Sequence, residues 1–219
     1  MEKDRIVKTY VKGGKKIVIR YVKESDINDI GEVLKAWYKN LMAKGRARKA
    51  DFDKKTRDWW LETAAGARDD SAVALVAEID GNVKGIVEIG IDRTVTLVAE
   101  IDGKVRALVD VNGKSGTYSH SAEVGIIVVD KEYGFGRFPE GVVAETLLMS
   151  AISEAEKALK LELITLHTNS DNRSAIRLYI ACGFMVMGEV PKSRKFYNGE
   201  YVGRLTMAKY LPGLPNLPE

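Results

Sequence analysis

The 219-residue sequence holds a single cysteine, Cys182, and only two histidines, His120 and His167. One cysteine excludes an internal disulfide and any zinc site built from cysteines. Two histidines with no ligand spacing such as HxxxH give no metal site, and both are read as structural. There are five prolines, three of them in the tail "LPGLPNLPE", so the body of the chain is left open to regular elements. No apolar run approaches the roughly 20 residues that a membrane helix needs. The segment "MEKDRIVK" has no apolar core of the kind a signal peptide requires. Neither sign of charge dominates: 34 Lys and Arg face 31 Asp and Glu, a formal net charge of +3. That balance speaks against a nucleic-acid binder. Ser119-His120 has no GxSxG elbow near it, and no GxGxxG follows the first strand-like run, which removes a serine hydrolase and a dinucleotide site. Together these absences fit a cytoplasmic, metal-free chain.

What is present is a well-patterned globular sequence, with 45% apolar and 30% charged residues. "RIVKTYV" and "KKIVIRYV" flank Gly13-Gly14 and read as a hairpin. The period then changes: Ile27, Ile30, Leu34, Trp37 and Leu41 fall at helical spacing. Ser25 or Asp26 serves as N-cap and Gly45 as the stop. A second helix is expected over 53–67, with Trp59 and Trp60 inside it. The one dense basic run, "KGRARK" (Lys44 to Lys49), reads first as a solvated helix end, with contact to an acidic ligand as the other reading.

An internal echo follows. "LVAEIDG" occurs at Leu75 to Gly81 and again at Leu97 to Gly103, 22 positions apart (97 minus 75). Each copy reads as strand, Asp-Gly turn, strand. Two copies are too few for a solenoid, so they predict successive hairpins.

Next come a polar loop holding His120, the strand "AEVGIIVVD", the segment "YGFGRFPEGVVAETLL" and a long helix. Leu147, Leu148, Ala151, Ile152, Ala155 and Leu159 form that helix's buried face. A short strand "LELITLHT" leads to a capped short helix, "NSDNRSAIRLYIACGF". A last hairpin turns at Asn198-Gly199. Strands crowd the middle and helices interrupt on both sides, which predicts an α+β fold with a mixed sheet. We expect one domain over 1–211, with 93–113 as an inserted hairpin and 212–219 as a proline-rich tail.

"NRSAIRLYIACGF" (Asn172 to Phe184) resembles the pattern N-x-x-A-x-x-L-Y-x-x-x-G-F of the GNAT acetyltransferase superfamily. Asn172, Ala175, Leu178, Tyr179, Gly183 and Phe184 stand at its lettered positions. The resemblance extends from Ile17 to Leu211 and implies a GNAT-like acyl-CoA N-acyltransferase fold with a mainly antiparallel central sheet. It implies acetyl-CoA as co-substrate and a primary amine, on a small molecule or a peptide, as acceptor. Tyr179 would be the general acid that protonates the leaving thiolate, since a phenol of pKa about 10 stays protonated near neutrality. Its other reading is a half-buried packing tyrosine. Glu123 would be the general base, and its plain alternative is a salt-bridged strand residue. Asp110 or Glu88 could do the same task. The resemblance also puts Ile127, Val128 and Val129 along the pantetheine arm and the thioester carbonyl. Asn172 caps its helix and can serve a ligand there.

In that family the central strand leads to a Q/R-x-x-G-x-G/A loop whose N–H groups hold pyrophosphate at a helix N-terminus. Setting the register from Leu147, Leu148 and Ala155 gives Pro139, Glu140, Gly141, Val142, Val143 and Ala144 at its positions. Ala144 fits the last place. Val142 replaces the middle glycine, with Gly141 beside it, and Pro139 replaces the Gln or Arg. Arg137 then stands in for the missing cation. The expected cofactor-binding set is Ile127, Val128, Val129, Arg137, Gly141, Val142, Val143, Ala144 and Asn172. Two other readings remain: a GNAT-fold protein that binds CoA, another acyl ligand or a protein partner without catalysis, and a nucleic-acid-associated protein using Lys44 to Lys49. An exposed extra hairpin could also pair across a homodimer.

Overall fold

The computed structural model describes residues 5–12, 14–21, 26–47, 73–79, 82–89, 94–129 and 142–212. The helix expected over 53–67, both of its tryptophans and most of the proline-rich tail lie outside those residues. Among the described residues ten strands and three α-helices follow one another: β1 (Ile6–Lys12), β2 (Lys15–Tyr21), α1 (Ile27–Ala43), β3 (Val73–Ile79), β4 (Asn82–Ile89), β5 (Thr94–Ile101), β6 (Lys104–Gly113), β7 (Ser121–Val129), α2 (Val142–Leu159), β8 (Leu163–Asn169), α3 (Arg173–Ala181), β9 (Met185–Lys195) and β10 (Tyr201–Tyr210).

Eight strands form one sheet in the order β1-β2-β5-β6-β7-β8-β10-β9, and β3 and β4 form a separate two-stranded sheet. Every neighbour pair in the large sheet is antiparallel except β7 with β8. A parallel pair needs a crossover, and α2 supplies it. The α+β reading therefore holds.

One face of the sheet carries the core. Ile17, Ile19, Leu97, Ala99, Val109, Ile164, Leu166 and Met207 are each at most 1% exposed. They pack with Leu147, Leu148, Ala151, Ile152 and Ala155 of α2, which the helical spacing picked out, and with Val143; Leu159, the last of that stripe, is partly buried against the same cluster. Burying a side chain of this size is worth about 1.5–3 kcal/mol, so this layer fixes the sheet register.

Polar anchors hold the other elements. Asp26 does cap α1 by position, but its carboxylate makes no capping bond. It instead accepts two bonds from the Arg20 guanidinium, at 2.6 and 2.7 Å, while Glu100 accepts from the same group at 2.8 and 3.1 Å. This buried triad joins β2, β5 and the start of α1. At the other end of α1, Gly45 takes φ +68° and ends the helix as expected. Arg46 beyond it is no solvated cation. It bonds Asp171 and Glu200 and stacks on Phe196 at 4.8 Å, clamping α1 to the last hairpin.

The two copies of "LVAEIDG" take different places. The second, 94–113, forms β5 and β6 in the sheet interior, between β2 and β7. It is the first copy, β3 and β4, that stands outside the large sheet. At the far edge, β9 is exposed along its whole length, Met185, Val186, Met187 and Val190 included.

Candidate active site

The site is built on a parting of strands. β7 and β8 pair through Ser121–Leu163, Ala122–Ile164, Glu123–Thr165 and Val124–Leu166. β7 then runs on to Val129 with β6 as its recorded partner, and β8 runs on to Asn169 with β10. Between them the main-chain edges of 125–129 and 167–169 open into a wedge. A bulge lies at its base. The β6–β7 register jumps from Val111–Val124 to Asp110–Ile126, leaving Gly125 as the extra residue. Bulges bend a strand and raise its twist, which turns β7 away from β8. A Cβ on Gly125 would stand 2.5 Å from Asp110 Oδ2 and 2.5 Å from Asn112 Nδ2. A larger residue there would have to displace the ends of those two side chains, whose own hydrogen bond is 2.6 Å long.

Ile127, Val128 and Val129 lie on the free-edged part of β7, opposite Val109, Leu108 and Ala107. Glu123 sits at the base of the wedge, on the face opposite to the buried Ala122 and Val124. Its Oε1 is 3.8 Å from His167 Nε2, and the carboxylate is 38% exposed. His167 Nδ1 in turn lies 3.1 Å from Thr206 Oγ1, so Thr206, His167 and Glu123 form a chain across β10, β8 and β7. His120, the other histidine, is exposed. Its carbonyl accepts from Glu162 at 2.8 Å and tethers the start of β8.

Tyr179 comes from α3, which begins four residues past β8 at Arg173. It is 7% exposed and meets Phe184 edge-on at 6.0 Å. Burial, aided by Cys182, pushes its phenol up to about 12. Cys182 is 2% exposed, and burial pushes its thiol up to about 11, with Glu145 adding to the rise and Lys209 opposing it. The cysteine thus behaves as the small buried residue its neighbours implied. Tyr179 packs within the α2-facing core, and Glu123 lies on the other face of the sheet.

Asn172 caps α3: its Oδ1 accepts from Ala175 N at 3.4 Å and from Ser174 Oγ at 3.1 Å. Val142, Val143 and Ala144 form the first turn of α2, with Val143 and Ala144 buried against the sheet. Pro139, Glu140, Arg137 and Gly141 lie outside the described residues. Gly125, Asp110–Asn112 and the His167–Thr206 contact were not singled out as one site from sequence. The lone glycine inside "AEVGIIVVD" is the signal that could have found the bulge.

A mixed sheet whose one parallel pair among the described residues parts midway, with α2 following β7 and α3 following β8 in the chain, defines the class. Residues 34–184 match the sequence model of the Acetyltransferase (GNAT) family. The chain belongs to that family. No curated protein is significantly similar to it in sequence. Among solved structures it is similar to the ribosomal-protein-S5-alanine acetyltransferase from Vibrio fischeri, with a TM-score of 0.60 and 16% identity over 95% of this chain and 99% of that one. It is also similar to yncA from Salmonella typhimurium, an acetyltransferase structure with its cofactor acetyl-CoA, with a TM-score of 0.59 and 19% identity over 91% and 96% of the two chains. The ribosomal-protein-S18-alanine N-acetyltransferase from Escherichia coli gives a TM-score of 0.54 and 15% identity over 91% and 99%. These likenesses establish the shared fold.

Proposed function

We propose that the protein transfers an acetyl group from acetyl-CoA to a primary amine of a small molecule or peptide. The observation that carries this reading is the parting of β7 from β8 after Val124 and Leu166. Past that point the main-chain donors and acceptors of 125–129 on the β8 side are left unpaired with β8. The pantetheine arm carries two amides and suits such an edge, where it binds much as an added strand does. The first turn of α2, at Val142, Val143 and Ala144, would supply N–H groups toward the pyrophosphate, and Arg137 would add a cation.

The amine is placed on the Glu123 side. An attacking amine must shed a proton, and Glu123 can accept it directly or through water. An N–H on 127–129 would steady the charge that gathers on the thioester oxygen, a role worth about 2.7–4 kcal/mol per donor in other enzymes. Holding the two reactants in line across the wedge supplies much of the remaining acceleration.

Tyr179 acts on the leaving sulfur. A thiol has a pKa of about 8.5, and the phenol, pushed up to about 12, is the weaker acid. Complete transfer of its proton to the thiolate is therefore uphill. The phenol is better cast as a permanently protonated donor that stabilises the departing thiolate by a hydrogen bond, with solvent completing the protonation. Asn172 holds α3, and so Tyr179, in place through its cap.

A non-catalytic binding protein is the second reading. It is favoured by Val142, a β-branched residue at the place where the family loop carries glycine. The experiment that separates the readings pairs a thermal shift on acetyl-CoA with free-thiol release across a panel of primary amines. Stabilisation by the ligand together with amine-dependent thiol release supports the transferase. Stabilisation without release supports the binding protein, and no shift at millimolar acetyl-CoA rules out both the transferase and a CoA-binding protein.

A further inference from the structure

The two hairpins share more than seven letters. In β3–β4, Leu75 stands opposite Val87, Val76 opposite Ile86, Ala77 opposite Gly85, Glu78 opposite Val83 and Ile79 opposite Asn82. In β5–β6, Leu97 stands opposite Val109, Val98 opposite Leu108, Ala99 opposite Ala107, Glu100 opposite Val105 and Ile101 opposite Lys104. Each partner in the second set lies 22 positions beyond its counterpart in the first (97 minus 75, 109 minus 87). The register break also repeats, between Ala77 and Glu78 in one and between Ala99 and Glu100 in the other. They are one hairpin written twice.

The second copy enters the sheet through a defined set of residues. Val95, Leu97, Ala99, Ile101, Ala107, Val109 and Val111 belong to the core under α2. The residues 22 places earlier are Val73, Leu75, Ala77, Ile79, Gly85, Val87 and Ile89. The changes are one methyl lost, at Gly85, and one methylene gained, at Ile89. On the other face Glu100 completes the buried Arg20–Asp26 triad, and Glu78 stands at its counterpart position. Val105 N donates to Asp29 Oδ2 at 2.9 Å, a main-chain bond that Val83 is equally able to make.

Chain order permits either occupant. β7 follows both copies, so whichever hairpin sits between β2 and β7, the other loops out without threading. The longer excursion costs little, because loop-closure entropy grows slowly with length.

We propose that the slot between β2 and β7 accepts either hairpin of the same chain, and that the occupant sets the acceptor wall beside Gly125. With the second copy in place that wall is Asp110 and Asn112, packed over Gly125. The residues 22 places before Asp110 and Asn112 are Glu88 and Gly90, so the first copy would bring a longer carboxylate and no amide. The assignment of this wall to the acceptor rests on the transferase reading, whereas the exchange itself does not. One chain would then offer two acceptor specificities from a single acetyl-CoA site.

The test uses the full chain and reads folding, independent of acetyl-CoA. Val109 is 0% exposed, and a charge there is incompatible with the second copy holding the slot. Exchange predicts that Val109→Asp still melts cooperatively within a few degrees of the parent, that Val87→Asp does the same, and that the two together abolish the transition. In the Val109→Asp, Cys182→Ala background, Val18→Cys with Glu78→Cys should form a disulfide within one chain, at the register that Val18 now shares with Glu100. Loss of cooperative melting in Val109→Asp alone would overturn the proposal. So would cooperative melting without that crosslink, or a crosslink that joins two chains.

Discussion

Val124 on β7 stands opposite Leu166 on β8, and theirs is the last register pair between the two strands. Beyond it β7 keeps five more residues and β8 three, each held from the far side by β6 or β10. Two buried apolar residues thus close the base of a wedge whose walls are main chain. The bulge at Gly125 lies immediately past the pair, so the bend that opens the wedge begins where the parallel ladder ends.

Replacing Tyr179 with phenylalanine keeps the ring and its contact with Phe184 and removes only the hydroxyl. The expected result is a fall in kcat of about 10- to 100-fold, at the low end for a group that assists rather than completes proton transfer. KM for acetyl-CoA should hardly change. Steady-state thiol release measures both, and an unchanged kcat would remove Tyr179 from the chemistry.

Glu123→Gln tests the base. If Glu123 takes the amine proton, turnover drops by about 100-fold or more. His167→Ala, which removes only the neighbour that orients the carboxylate, should cost much less. A Gln variant with parental turnover would hand the task to water or to Asp110.

Alkaline stability follows from the buried phenol and thiol. Tyr179 rises from 10.0 to about 12 and Cys182 from 9.0 to about 11. A group whose folded pKa is raised contributes fully below its unfolded value and loses that contribution as pH climbs toward the folded one. Stability should therefore be flat to about pH 9 and fall between pH 9 and 12, by on the order of 2–3 kcal/mol for each group. Urea unfolding across that range reads the slope. Cys182→Ala should remove the part that begins near pH 9 and leave the part that begins near pH 10.

The Arg20 triad makes a different prediction. Arg20 and Asp26 have side chains only 6% and 4% exposed. Arg20→Met leaves Asp26 buried without its cation, which costs about 3–5 kcal/mol. Asp26→Asn with Arg20→Met should recover part of that loss, since it removes the stranded charge. Chemical denaturation of the single and double variants checks both.

The parts of this fold that the sequence spells out locally were legible in it. Gly13-Gly14, Asp102-Gly103 and Asn198-Gly199 mark turns because each needs a positive φ, and Gly14, Asp102, Gly103 and Gly199 all adopt one. The stripe from Leu147 to Ala155 is buried because helical spacing puts it on one face. Relationships between distant segments were not legible. Nothing in Arg46 announces Asp171 and Glu200, its partners far along the chain. Asp26 occupies a capping position and uses its carboxylate elsewhere, because a buried guanidinium outcompetes a backbone N–H for it. Trp37, in the apolar stripe of α1, is 41% exposed against the edge of Tyr38. The two hairpins carry almost the same pattern, so no propensity rule can say which one enters the sheet. The wedge itself is a place where pairing stops, and strand stretches of like composition give no sign of that.

The central claim is that the free edge of β7 receives acetyl-CoA. The most direct measurement is backbone amide hydrogen exchange with and without acetyl-CoA, followed residue by residue. The account predicts new protection concentrated on residues 125–129, with the first turn of α2 slowed beside it and β9 unchanged. Binding that leaves 125–129 exchanging at its free rate would contradict the account.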